Sequence, residues 1–135
     1  MHTYFCVRDI TGVRVEGLDG VQYLDRAPGA GSDLVPQLGP VALTGETERV
    51  YYSTTTSAII DAAGRRAITV VKGGSANTVV WNPWADKAAA MPDFAEDEWP
   101  GMVCLETANV LDNAITLGAG AAHTMSARYA VSHSA

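Results

Sequence analysis

The sequence is poor in charge and has no run of one sign. Charged residues make up 18% of its 135 positions, with 15 Asp and Glu against 9 Lys and Arg. A formal net charge of −6 without any basic cluster argues against a nucleic-acid surface or an anionic membrane face as the partner. No stretch approaches the roughly 18 apolar residues of a membrane span, and Met1 is not followed by a charged segment and apolar core of a secretory leader. A soluble, cytoplasmic protein is the expectation. Cysteine is scarce too: Cys6 and Cys104 form no CxxC pair, which speaks against a zinc ribbon or dithiol redox motif. Both lie in apolar runs, "YFCV" and "MVCL", where cysteine serves as a small buried hydrophobe. The glycine-rich stretches "GGSAN" and "GAGAAH" lack the GK[ST] ending of a phosphate loop and read as turns.

What is present is β-patterning. Val13 and Val15 alternate with Arg14 and Glu16, the pattern breaks at Asp19-Gly20, and it resumes at Val21 and Tyr23, predicting a hairpin. Residues 30–40 are too rich in Gly and Pro for an element interior and predict a loop. "ERVYYSTTTSAIID" and "RRAITVVKGG", joined by Ala62-Ala63-Gly64, predict a second hairpin. "NTVVWNPW" reads as a buried strand ended by Pro83, which cannot donate to a ladder. "ADKAAAMPDF" is the one helix-like segment, "GMVCLETANV" and "NAITLGAG" return to strand, and "HTMSARYAV" puts His123, Met125, Ala127, Tyr129 and Val131 on one face. The sum is an all-β, antiparallel sandwich, with residues 1–135 as a single domain large enough to bury a core.

Groups able to move protons are His2, His123, His133 and carboxylates set in apolar strands. Glu106 follows Met102, Val103, Cys104 and Leu105. It reads either as the exposed end of that strand or as a buried carboxyl with a raised pKa. His2 reads equally as a loose terminal residue. The acidic cluster Asp93, Glu96, Asp97 and Glu98 reads as a solvated loop, because four like charges cannot all be buried. Trp81, Trp84 and Trp99 suit a sugar face or a core.

Seven segments in order, "HTYF" with "DI" and "V.GL.G..Y.D" after it, "ETERVY", "TVVWNPW..K...M.DF", "MVCLETANV" and "ITLGAGAAHTMSARY", resemble the hexose-6-phosphate mutarotases (glucose-6-phosphate 1-epimerases) of the aldose 1-epimerase superfamily. The resemblance runs from His2 to about Val131. It implies part of a galactose-mutarotase-like β-supersandwich that interconverts the α and β anomers of a hexose 6-phosphate or related aldose. It also implies that the histidine of the HTYF motif, His2, and the glutamate of the C-x-E motif, Glu106, transfer the protons, and that Glu48 holds a sugar hydroxyl. At Glu48 the motif usually carries aspartate, so the side chain here reaches one methylene further.

Mutarotation takes a proton from the anomeric hydroxyl and gives one to the ring oxygen. A carboxylate and an imidazole on opposite sides of the anomeric centre can do this near neutral pH. No metal, nucleotide or redox cofactor is needed. Family members are longer, and the part that precedes HTYF in them carries further strands and the arginines that clamp the phosphate. Arg49, Arg65, Arg66 and Lys87 match none of those clamp positions. The expectation is therefore the carboxy-terminal portion of a mutarotase, with exposed sheet edges that favour homo-oligomerisation or pairing with a missing amino-terminal portion. A non-catalytic carbohydrate-binding sandwich and an interaction module without a sugar site are the competing expectations.

Overall fold

In a computed structural model that describes residues 1–133, the strands form two antiparallel sheets packed face to face. One sheet has six strands: β1 (Tyr4–Cys6), β3 (Gln22–Asp25), β4 (Leu34–Pro36), β6 (Thr47–Tyr52), β9 (Asn77–Asn82) and β10 (Met102–Ala108), in the order β1-β10-β9-β6-β3-β4. The other has five: β2 (Val13–Glu16), β5 (Val41–Ala42), β7 (Ser57–Asp61), β8 (Arg66–Gly73) and β11 (Ser126–His133), in the order β11-β8-β7-β2-β5. Helix α1 (Trp84–Ala90) follows β9 directly, so the predicted strand, proline stop and short helix all stand.

The core lies between the sheets and follows from period-two alternation. Val13 and Val15 of β2, Ile68 and Val70 of β8, and Val103 and Leu105 of β10 all point inward and are at most 5% exposed. Each such side chain contributes about 1.5–3 kcal/mol when fully buried. Tyr51 joins them, and its hydroxyl donates to Gln37 Oε1 at 2.8 Å. Burial raises its pKa to about 12.

The first predicted hairpin is not one. β2 pairs with β5 and β7, whereas β3 pairs with β4 and β6 in the opposite sheet. The link is a crossover that drops Leu18 into the core at 1% exposure. It passes so close to the chain at Thr56 that a Cβ on Gly17, which has φ +86°, would sit 2.4 Å from that carbonyl oxygen. β6 and β7 likewise lie in different sheets, while β7 and β8 form the true hairpin, with Asp61 opposite Arg66. Buried Asp61 closes its turn, accepting from the Gly64 amide at 2.9 Å, Arg66 Nε at 3.1 Å and the Arg8 amide at 3.2 Å.

Three further expectations are corrected. "NAITLGAG" is not a strand: a 3-10 turn over Leu111–Asn113 precedes extended chain without a ladder partner, and Ile115 and Leu117 are exposed. β11 starts only at Ser126, and its apolar face is incompletely covered, with Tyr129 43% and Val131 55% exposed. Phe5 packs edge-on to Tyr129 at 5.4 Å, but β11 borders its sheet and has β8 as its one strand neighbour. Cys6 is exposed because β1 borders the other sheet, whereas Cys104 is buried as expected.

Candidate active site

The register of the six-stranded sheet assembles the site. Glu106 and Cys104 are two residues apart on β10 and share its outer face, opposite the core-facing Val103 and Leu105. Across β9, Glu106 stands beside Val79 and Cys104 beside Trp81. Across β6, Val79 stands beside Val50 and Trp81 beside Glu48. On the other flank Tyr4 of β1 pairs with Cys104, which carries His2, two residues earlier, over the same face. The Arg26 amide donates to the Glu48 carbonyl at 2.7 Å, extending the ladder beyond β3 and bringing Arg26 alongside. All of these outer side chains except Cys104, which is buried beneath them among Val50, Val79 and Trp81, line a cavity of about 450 Å³ that also touches Met91, Val110 and Leu111.

The walls are held from below. Asn82 at the end of β9 accepts from the Trp84 amide at 2.9 Å and donates to the carbonyls of Trp99 at 2.8 Å and Met102 at 2.9 Å. That fully used amide fixes where the chain leaves the sheet and so where Met91 and Phe94 return. Phe94 packs edge-on to Trp81 at 6.3 Å. Trp84 and Trp99 pack against each other with ring centroids 4.5 Å apart and planes tilted by 40°, away from the cavity lining.

Glu106 is 9% exposed, inside its strand and not at a wet end. His2 Nε2 lies 3.1 Å from its Oε1. Burial pushes the Glu106 carboxyl above its ordinary range; His2 and the amino terminus pull it back without cancelling the shift, and Glu48 adds repulsion. Instead of a loose terminus, His2 rests on Tyr4 with ring centroids 5.1 Å apart and meets the edge of Trp81 at 6.2 Å. The Met1 amine donates to the Thr107 carbonyl at 2.7 Å, anchoring that end of the chain. Its outer side stays open, since the side chain is 58% exposed. The imidazole and carboxylate are thus in direct contact and do not face each other across a gap.

Glu48 is held by two cations. Arg26 Nε approaches Oε1 at 3.2 Å, and Lys87 Nζ, bonded to Glu46 at 2.9 Å, reaches Oε2 at 3.4 Å. His2, Glu106 and Glu48 therefore share one cavity. His123 stands elsewhere, its Nε2 2.7 Å from the Gly74 carbonyl, and His133 closes β11. The acidic loop of Asp93, Glu96, Asp97 and Glu98 is exposed, as its charge demands. Arg49 turns away, donating to Asp25 at 3.4 Å and lying over Tyr23, and Arg66 serves Asp61. Among the lining residues that sequence reasoning missed, two carry polar groups, Tyr4 and Arg26. Tyr4 was recoverable from its two-residue spacing to His2, but Arg26 carries no local signal, because only the β3–β6 ladder brings it to Glu48.

A family model described as aldose 1-epimerase matches residues 1–130. The chain belongs to the aldose 1-epimerase family. Among its relatives, the "Putative glucose-6-phosphate 1-epimerase" of Cenchrus ciliaris is 42% identical over 120 residues, 88% of this chain and 36% of that protein. A protein of the same name from Escherichia coli strain K12 is 35% identical over 109 residues, again 36% of its length. The solved structure of a "putative mutarotase (YeaD)" from Salmonella typhimurium superposes with a TM-score of 0.71 at 35% identity, covering 79% of this chain and 36% of that one. The chain thus spans little more than a third of the relatives it matches, and its two-sheet sandwich superposes on the matching part of that solved structure.

Proposed function

We propose that this chain carries the proton-transfer centre of a hexose-6-phosphate 1-epimerase, with Glu106 as base and His2 as acid. The observation that supports it most is the 3.1 Å imidazole–carboxylate contact on the wall of a roughly sugar-sized cavity. Glu106 takes the proton of the anomeric hydroxyl while His2 protonates the ring oxygen, and the C1–ring-oxygen bond breaks to leave an open-chain aldehyde. Rotation about C1–C2 exposes the other carbonyl face. The hydroxyl then attacks it, His2 recovers its proton from the ring oxygen, and Glu106 returns its own to the new anomeric oxygen. Both oxygens are bonded to C1, so neighbouring groups on one side of the sugar serve both, provided the contact between them opens for the substrate. The exposed outer side of His2 leaves room for that opening.

Each proton transfer supplies about 10²–10⁴-fold, and a base held above the ordinary carboxylate range suits neutral pH. Glu48, oriented by Arg26 and Lys87, accepts from a sugar hydroxyl, and Tyr4 and Trp81 offer aromatic faces to the pyranose. The chemistry calls for no cofactor. In this reading residues 1–135 are one unit of a larger sandwich, and the uncovered Tyr129 and Val131 mark where further strands, from a second copy or a separate amino-terminal portion, pack.

Exchange NMR or polarimetry with α-glucose 6-phosphate tests the proposal, using the chain alone and mixed with the amino-terminal portion of a relative. Catalysed anomer exchange in either mixture supports it; exchange at the buffer rate in both overturns it. The closed His2–Glu106 contact favours one other reading, a sugar-binding sandwich without turnover. Sugar binding that survives Glu106→Gln, with no exchange in either form, identifies that case.

A further inference from the structure

We propose that His2, Cys104 and Glu106 form a binding site for a borderline-soft divalent cation of the Zn²⁺ type, which on binding closes the cavity to sugar. One ligand atom from each residue lies within 4.8 Å of the other two. Three atoms so spaced always leave a point within about 2.8 Å of each, against Zn–N, Zn–O and Zn–S bonds of about 2.0–2.3 Å. The imidazole already spans the other two groups, with Nδ1 4.0 Å from Cys104 Sγ and Nε2 3.1 Å from Glu106 Oε1, so a small contraction of the three side chains onto the ion is the movement that binding requires.

The donor set defines the cation. One imidazole nitrogen, one thiolate and one carboxylate balance a double positive charge and suit Zn²⁺ or Co²⁺. Mg²⁺ and Ca²⁺ prefer all-oxygen shells and find one oxygen ligand here. Cys104 and Glu106 project from one rigid strand that is buried along its whole length. Two of the three ligands are thus positioned beforehand, and Tyr4 and Trp81 wall the site with apolar surface. The open side of His2 leaves the remaining coordination position to water. On binding, Cys104 releases its proton to solvent as the metal–sulfur bond forms, and no oxidant or reductant takes part.

The site rests on geometry alone; only its inhibitory consequence rests on the proton-transfer reading, because the cation occupies the same carboxylate and imidazole. The test uses the metals by themselves. Co²⁺ added to the reduced chain is expected to give a near-ultraviolet thiolate-to-cobalt band at one equivalent, displaced by Zn²⁺ and unaffected by excess Mg²⁺. Cys104→Ser is expected to abolish the band, and Cys6→Ser to keep it. His2→Ala, which removes a largely exposed side chain and leaves the fold intact, is expected to weaken Co²⁺ binding at least about tenfold, the loss that even an outer partner of a metal ligand produces. No thiolate band in the native chain, a band lost with Cys6, or Co²⁺ affinity unchanged in His2→Ala each overturns the site. These readouts need no turnover, so a chain that fails to epimerise still decides the metal question. Where exchange is measurable, Zn²⁺ is expected to suppress it in the native chain and not in Cys104→Ser.

Discussion

Glu106→Gln keeps the shape of the side chain while removing its charge and its capacity to take a proton. The position is 9% exposed on a strand buried at every residue, so glutamine fits where glutamate sat. Loss of one proton-transfer partner lowers the anomerisation rate by about 10²–10⁴-fold, or roughly 2.7–5.5 kcal/mol of barrier at about 1.36 kcal/mol per tenfold. Stability moves the opposite way. Burial holds the carboxyl above its ordinary value of 4.5 in the folded chain, so the folded state keeps its proton at pH values where the unfolded state has lost it. From that ordinary value up to the raised one, stability falls as pH rises, by at most about 1.4 kcal/mol per pH unit for a single group. Glutamine has no such slope. The variant is therefore expected to be more stable than the native chain at neutral pH, with the difference shrinking in acid, and to lack the acid limb of the activity profile. Exchange NMR between anomers and urea unfolding across acid and neutral pH measure the two effects. A variant that epimerises within about tenfold of the native rate, or whose stability follows pH as the native chain's does, refutes the reasoning.

Asp61→Ala leaves the Arg66 guanidinium and the Arg8 and Gly64 amides without their buried acceptor, and urea unfolding should show a loss of about 3–5 kcal/mol; a loss below about 1 kcal/mol would mean the turn finds other partners. Glu48→Ala removes a charged acceptor from the cavity and should raise KM about 10–100-fold, the worth of a charge-assisted hydrogen bond, while costing less than about 1 kcal/mol of stability because its ion pairs are part-exposed. An unchanged KM places the sugar elsewhere. Gly17→Ala forces a Cβ against the Thr56 carbonyl at positive φ and should destabilise by at least about 2 kcal/mol in thermal or urea unfolding; equal stability would show that the crossover can relax.

Strand content was readable from the residues; strand partnership was not. β9 and β10 announce themselves because apolar residues fill both faces, one for the core and one for the cavity. That same double burial left Glu106 ambiguous, since a carboxylate after four apolar residues marks either a strand end or a built site. Asp19-Gly20 carries hairpin chemistry, yet a short link between two sheets uses the same residues as a link within one, and only the burial of Leu18 distinguishes them. The alternation in β11 is real, but a pattern of side chains says which face they share and not whether anything covers it. His2, Glu48 and Glu106 were marked through the family resemblance, and long-range pairing brings them to one cavity. Arg26 shows the limit, because a backbone hydrogen bond just past the end of β3 holds it beside Glu48, 22 positions along the chain.

The pleat of β10 divides its residues into two separate accounts. Val103, Leu105 and Thr107 answer to the sandwich interior, while Glu106 answers to the cavity and Cys104 to the packing beneath it, though all five are consecutive. Substitutions at alternate positions can therefore drift independently. A descendant chain can reshape its pocket while leaving the inner packing untouched, whereas inserting or deleting a single residue in this strand would exchange the two sets and forfeit both at once.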